Sequence, residues 1–252
     1  MQPHQRIAGT LMKDIFLGAL PPGARLSPEK RLAEEVGADR GSLRVALKQL
    51  EAMNALEIRQ GDGTYVKDFV KNVGLDFVSH LFELQAAMGG GEEWLDATVV
   101  DEIWEFWNMV FPEILKHAAK RSSTRDVKAL VDIVNEELEH IADKPKLVEL
   151  QVRTQDRIAE IVDNTIVLLF FNSSRPLRRK ITEIFIHSVG DEEILKNIEL
   201  RKALLKAILA GSHTDIDGLI DLFRERQEQS RRLVRTSLNP FSPASPTRGG
   251  TP

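Results

Sequence analysis

The sequence predicts a mainly α chain in two parts, a three-helix unit closed by a small β-hairpin and then an all-helical bundle. Three observations predict it. Before residue 73, segments with apolar residues at three- and four-residue spacing meet at a tight glycine turn. Two short β-like stretches follow them, "ALEIRQ" and "GTYVKD", joined at Gly61-Asp62-Gly63. From Leu75 onward every patterned segment has helical spacing. Charge divides the chain near the same place. Residues 1–73 carry 11 Lys and Arg against 9 Asp and Glu, leaving 23 against 29 for the rest, within a net charge of −4. A mildly basic unit thus precedes an acidic one, a hint that an anionic partner belongs to the first.

Taken in order, residues 5–18 read as a helix with Ile7, Leu11, Ile15 and Phe16 on one side, and "LPPGARL" stops it. Ser27-Pro28-Glu29 is a strong helix start: a serine N-cap, proline at the first helical position and an acid in the first turn. That helix runs to about Val36 and ends at Gly37. Asp39 caps the next, which runs to about Met53 and buries Leu43, Leu47 and Leu50. The hairpin follows. "LDFVSHLFEL" is a short helix ended by "GGGEE". Residues 95–120 form a long helix with a wide apolar face from Val99 to Leu115, which Pro112 kinks or deprives of a hydrogen bond. Further helices are expected at 125–142, 145–163, 165–172, 176–187, 191–210 and 215–236. They are punctuated by Ser122-Ser123-Thr124, Asp163-Asn164, Ser173-Ser174 and Gly211-Ser212. The closing "NPFSPASPTRGGTP" has the composition of a disordered tail. The expected division is 1–72, 73–93 as linker helix and Gly-rich break, 94–236 as the helical bundle, and 237–252 as tail.

Composition excludes several classes. With no cysteine, disulfides, zinc–thiolate sites and thiol catalysis are ruled out. The longest apolar run, "TIVLLFF" (165–171), is far too short to cross a bilayer, and "MQPHQRIAG" lacks a signal-peptide pattern, so a cytoplasmic protein without membrane contact is expected. No nucleophile–base–orienter set, phosphate loop or metal set is visible, which argues against an enzyme. His4, His80, His117, His140, His187 and His213 show no ligand spacing, and "NEELEH" (135–140) reads as an exposed acidic helix face; no metal and no cofactor are expected.

The amino-terminal block resembles the winged helix-turn-helix of GntR-family bacterial transcription regulators. The residues that carry the resemblance are Pro22-Gly23, Glu29-Lys30-Arg31-Leu32-Ala33, Gly37, Arg40, Ser42-Leu43-Arg44, Ala46-Leu47, Leu50 and the wing Gly61-Asp62-Gly63-Thr64-Tyr65-Val66. It covers roughly the first 70 residues. The helical second part is similar to the effector domain of the FadR branch, through helix order and the echoes "GLDFVSHLFEL" and "AILAGSH". The resemblance implies a homodimer on a short palindrome of double-stranded DNA, nucleoid-associated, acting as repressor or activator. In such a module the recognition helix enters the major groove by its amino-terminal end.

On that footing Arg40 and Arg44, one turn apart, reach guanine or phosphate oxygens, while Gly41 and Ser42 keep the helix start slim. Lys30 matches a family position that contacts DNA. In the wing, Gly61 and Gly63 let the backbone approach the minor groove, and Gln60 and Thr64 donate to phosphates. On a lone helix the two arginines would be solvated surface charges; the order of helices, turn and wing favours DNA. Asp39 departs from the family's Ser or Thr: it still caps, yet it repels a phosphate or else accepts from a cytosine amine. Gly41 also removes a base contact that a larger residue makes.

FadR-branch effector domains commonly hold a divalent metal through an Asp-x3-His pair and two later histidines. This chain places Gln151-x3-Gln155 at the pair, with Arg201 and Arg224–Arg226 near the later positions, a set unsuited to zinc. Trp107 falls near a family effector arginine. The acyl-CoA-responsive members also lack the metal set, which keeps a lipid-like or organic-acid effector open. "RPLRRK" (175–180) reads first as a solvated helix start, with Arg178 as a ligand residue in the minority reading. "TIVLLFF" reads as core packing of a central helix before an acyl pocket, and the Trp94, Trp104 and Trp107 group as core or dimer surface before ligand cage. The resemblance thus nominates Trp107, Gln151, Gln155, Arg178 and Arg201 for effector binding. The alternative is an effector-independent protein whose helical domain only dimerises.

Overall fold

The computed structural model of the chain describes residues 1–87 and 97–238. The predicted Gly-rich break, Trp94 and the Pro- and Ser-rich tail from Asn239 lie outside the described residues. The chain divides into two compact units, one made of residues 1–87 with Asn172–Leu177, the other of 97–171 with 178–238.

The first unit runs α1 (Pro3–Phe16), α2 (Glu29–Glu35), α3 (Arg40–Ala52), β1 (Leu56–Arg59), β2 (Gly63–Val66), a single turn α4 (Phe69–Asn72) and α5 (Leu75–Ala87). Its core joins Ile7, Leu11, Met12 and Ile15 of α1 to Leu43, Ala46, Leu47 and Leu50 of α3, with Leu32, Leu56, Val66, Phe77 and Leu81 closing it. The apolar stripes that set the helical period are therefore the faces that pack. The strands are antiparallel, with Leu56 opposite Val66 and Arg59 opposite Gly63. A third extended segment joins them: Arg25 bridges to Tyr65, and the Leu26 N–H donates to the Thr64 carbonyl (2.9 Å). Ser27 does not cap α2. Pro28 is the N-cap and the Ser27 hydroxyl donates to Glu35 (3.2 Å), so a cap expected at Ser27 moves by one residue.

In the second unit α6 (Ala97–Arg121), α7 (Thr124–Glu139), α8 (Lys144–Val162), α9 (Thr165–Ser188), α10 (Asp191–Ala210) and α11 (His213–Leu238) follow in order. The corners are built by local polar groups. Ser123 and Asp126 form a capping box at the start of α7, and the Asn164 side chain accepts from the N–H groups of Ile166 and Val167 (3.0 and 3.1 Å). Asp163 (φ 49°) and Gly211 (φ 70°) end α8 and α10 in the left-handed region. Arg231 of α11 donates to both carboxylate oxygens of Asp101 (2.7 and 2.9 Å) and to Glu105 (3.2 Å) on α6. That pairing drives the Asp101 carboxyl below its ordinary range and the Arg231 guanidinium upward.

Two expectations are corrected here. Residues 165–172 and 176–187 are not two helices: α9 runs unbroken through Ser173-Ser174 and Pro176. Nor is "TIVLLFF" core throughout, because Ile166 is 73% and Leu169 58% exposed while Phe171 is buried.

Beneath the helical surface, Glu137 of α7 is fully buried. Both its oxygens accept from Arg201 of α10 (2.8 and 2.5 Å), and the Thr154 hydroxyl of α8 donates to it (3.1 Å). Three helices meet on one carboxylate. Removing one partner of such a pair strands the other charge, so Glu137→Ala should cost roughly 3–5 kcal/mol in urea unfolding of the helical unit. The paired replacement Glu137→Leu with Arg201→Met should recover most of that loss.

Candidate DNA-binding face

The carboxylate of Asp39 sets the start of α3. Its Oδ1 accepts from the Ser42 backbone N–H (2.9 Å) and its Oδ2 from the Ser42 hydroxyl (2.6 Å). The Ser42 hydroxyl bond, then the Ser42 N–H, hold the Asp39 carboxyl below its ordinary value of 3.8. Gly41 belongs to the same arrangement. A Cβ there would lie 3.0 Å from Asp39 Oδ1, so the absent side chain is what leaves room for the cap. Sequence reading treated Asp39 and Gly41 as separate departures; they are one device.

With the cap in place, α3 turns Leu43, Ala46, Leu47 and Leu50 inward and Arg40, Gly41, Arg44, Val45 and Lys48 outward, with Ser42 half-buried. Arg40 has no ion-pair partner among the described residues. Arg44 donates to Glu29 of α2 (2.7 Å), and both side chains remain largely solvated, so the pair is weak and exchangeable. Lys30 is exposed on α2. The start of α3 thus presents two arginines near a fixed carboxylate, and the preceding helix exposes a lysine.

The wing holds two cations outside the set nominated from the sequence, Arg25 and Arg59, each paired with an acid. Gln60 and Gly61 lie exposed in the turn, where Gly61 (φ 77°) requires the left-handed region. Gly63 (φ 151°) serves a different need: a Cβ on it would sit 2.7 Å from the Arg25 Nε. Arg25 lies over the turn, donates to the Asp62 carbonyl and pairs with the Asp62 carboxylate (3.8 Å). Arg59 lies over the Tyr65 ring at 4.4 Å and pairs with Glu57 (2.9 Å). Thr64, half-buried opposite Ile58, spends its carbonyl on Leu26. Arg25 and Arg59 were absent from the predicted set. Arg59 was legible as a strand-end cation next to Gln60; Arg25 was not, because its place depends on a pairing 40 residues along the chain.

In the helical unit the nominated effector residues fall into two groups. Arg178 is only 4% exposed, within α9 and not at a helix start. Its nitrogens donate to Gln155 Oε1 (2.8 Å), Asp156 Oδ1 (2.6 Å) and the Phe171 carbonyl (2.8 Å). Its guanidinium also lies 4.7 Å over the Phe171 ring. Trp107 stacks on Phe111 at 4.7 Å and meets Phe171 at 5.7 Å, so Trp107, Gln155 and Arg178 converge around Phe171. Arg201 instead joins Glu137, and Gln151 is half-buried on α8, three residues before Thr154. Among the described residues no three His, Asp or Glu side chains are grouped to hold a metal ion.

A helix pair joined by a glycine turn, with a solvent-facing basic second helix and a hairpin beside it, is a winged helix-turn-helix. Residues 3–66 match the family described as bacterial regulatory proteins, gntR family, and they form a GntR-family helix-turn-helix domain. Over 119 residues the chain is 40% identical to the HTH-type transcriptional regulator Mce2R of Mycobacterium tuberculosis, covering 47% of each. The chain therefore spans about half the length of the curated relatives it matches first. It is 24% identical to the fatty acid metabolism regulator protein of Shewanella halifaxensis, over 83% of this chain and 82% of that one. A solved Listeria monocytogenes structure, titled as Lar controlling expression of the agr system, shares the fold. Its TM-score is 0.57 at 15% identity, over 96% of this chain and 99% of that one. No helix among the described residues is long and apolar enough to cross a membrane.

The Asp39–Ser42 cap carries a pH signature. A carboxyl held below its ordinary value contributes stability above that value and loses it as pH falls from about 3.8 through the lower folded value. Asp39→Ala should lower the melting temperature of the first unit at neutral pH and flatten that acid limb. Gly41→Ala should fail to gain the roughly 0.5–1 kcal/mol that alanine normally adds in a helix, because its methyl displaces the cap. In the Asp39→Ala background the same substitution should recover that gain, a non-additivity that a double-mutant cycle reads directly.

Proposed function

We propose that the chain is a transcription regulator that binds double-stranded DNA as a homodimer through two copies of this module. The observation that carries the reading is the outward face of α3, where Arg40 and Arg44 stand at the entrance of a capped helix within a GntR-family domain. One module presents a small contact surface, and two related by a twofold axis match a palindrome. The exposed apolar side chains Phe106 and Met109 of α6 and Ile166 and Leu169 of α9 support self-association of the helical unit. Phe106 and Phe170, with rings 6.0 Å apart, bring those two helix faces together. The site set we propose for DNA is Lys30, Asp39, Arg40, Gly41, Ser42, Arg44, Gln60, Gly61, Gly63 and Thr64, with Arg25 and Arg59 added from the wing. Such a protein works in the cytoplasm, on the nucleoid.

Control by a small molecule in the helical unit is the companion proposal. Ligand binding would have to favour one spacing of the two DNA modules over another. The relatives named for fatty acid metabolism support a lipid or organic acid. A second reading is favoured by a specific observation: Arg201 is already saturated by Glu137, and Arg178 by Gln155, Asp156 and a carbonyl. Three of the five nominated residues, Gln155, Arg178 and Arg201, thus hydrogen-bond to internal partners, which suits a helical unit that only dimerises. Native mass spectrometry of the purified chain separates the two: a co-purifying acid or lipid supports control, and a clean dimer supports the second reading. Because Arg178 also ties α8 to α9, loss of response in Arg178→Ala counts only alongside an unchanged helical content.

Two measurements test the DNA reading. Arg40→Ala should weaken binding to a selected palindrome about tenfold or more and reduce the salt slope, as expected for loss of a base or phosphate contact. Glu29→Ala, which releases Arg44, should leave binding intact or strengthen it. Sedimentation of the free protein should give a dimer.

A further inference from the structure

Val45 has no role in the core and none in the cap. It sits on the outward face of α3, 52% exposed, among Arg40, Gly41, Arg44 and Lys48. A β-branched residue at an exposed helix position loses rotamer freedom, so helix stability does not call for it. Its surroundings are specific. One turn earlier is Gly41, and helical side chains lean toward the preceding turn, so the valine methyls overhang a residue without a side chain. A Cβ at Gly41 would meet only Asp39 Oδ1 within 4 Å, which leaves the rest of that space open. On the other edge of the face Arg44 is drawn to Glu29 (2.7 Å), and Lys48 is drawn to Glu51 (2.7 Å). The outward face of α3 therefore has a cationic edge and, beside it, an open apolar notch walled by Val45.

Resting on the DNA-binding reading above, we propose that Val45 is a specificity-determining residue that reads the 5-methyl group of thymine in the major groove. The 5-methyl of thymine is the one alkyl group that the bases present in the major groove; the polar groups beside it are hydrogen-bond donors and acceptors, and cytosine has only a C–H at that position. Gly41 supplies the clearance for the methyl, and Asp39, capped by Ser42, keeps the helix start in register. The arginines then set affinity, and Val45 sets a preference for thymine at one position of each half-site.

The test uses the full chain. A binding site is first selected from a random duplex library. Each thymine in it is then replaced in turn by deoxyuridine, which removes the methyl and leaves every hydrogen-bonding group in place. Loss of one methyl contact is expected to weaken binding about fourfold, the equivalent of one buried CH₂ group. One symmetry-related pair of thymines should show that loss. Val45→Ala should bind the thymine and deoxyuridine duplexes equally, and Val45→Ile should retain the discrimination; circular dichroism should show both variants folded. Equal binding of all duplexes by the unaltered chain, or discrimination retained by Val45→Ala, overturns the assignment to Val45 while leaving DNA binding standing. Enrichment of no duplex overturns both.

Discussion

The Asp39 carboxylate, bridged to the backbone and hydroxyl of Ser42, is the interaction on which the first unit's outward face depends. It fixes where α3 begins, and the apolar stripe Leu43, Ala46, Leu47 and Leu50 decides which residues face out. The cap also explains Gly41, since a side chain there would press on the carboxylate. The acid at the helix start is thus part of the cap, and a second acid, Glu29, pairs with Arg44 on the same face.

The helical unit is organised by a different rule. It contains buried or half-buried ion pairs that join different helices: Glu137 with Arg201, Asp156 with Arg178, Asp101 with Arg231. Such pairs add little net stability over apolar packing, but they penalise every arrangement in which one charge is left alone. They therefore specify which helix lies against which. Arginines that look like ligand anchors in the sequence are engaged in that work, and this gives the dimerisation-only reading its physical basis.

What was legible in the sequence was local. The Asp39 cap, the Ser123 capping box and the Asp163–Asn164 corner are contacts between residues two or three apart, and each was visible as a residue type beside an apolar stripe. The hairpin was legible from its alternation and glycine turn. Elements that failed did so through tertiary contacts. Pro176 argues for a break in α9, yet the helix continues. The Arg178 guanidinium, two residues on, anchors this stretch to α8 and to the Phe171 carbonyl. Ser27 looked like a cap, but Glu35 takes its hydroxyl. The Arg44–Glu29 pair was not legible, because Glu29 lies 15 residues away on another helix. Val45 was passed over because a lone valine in an amphipathic pattern carries no sign of which face it occupies.

The central claim, that the outward start of α3 together with the wing is the surface that meets DNA, is tested most directly by hydrogen exchange of the full chain with and without a selected duplex. The account predicts slowed exchange in Arg40–Val45 and in the turn at residues 60–63, with the stretch from Ala46 to Leu50 unchanged. Unaltered exchange at Arg40–Val45 in a duplex-saturated sample, or protection confined to the helical unit, would contradict it.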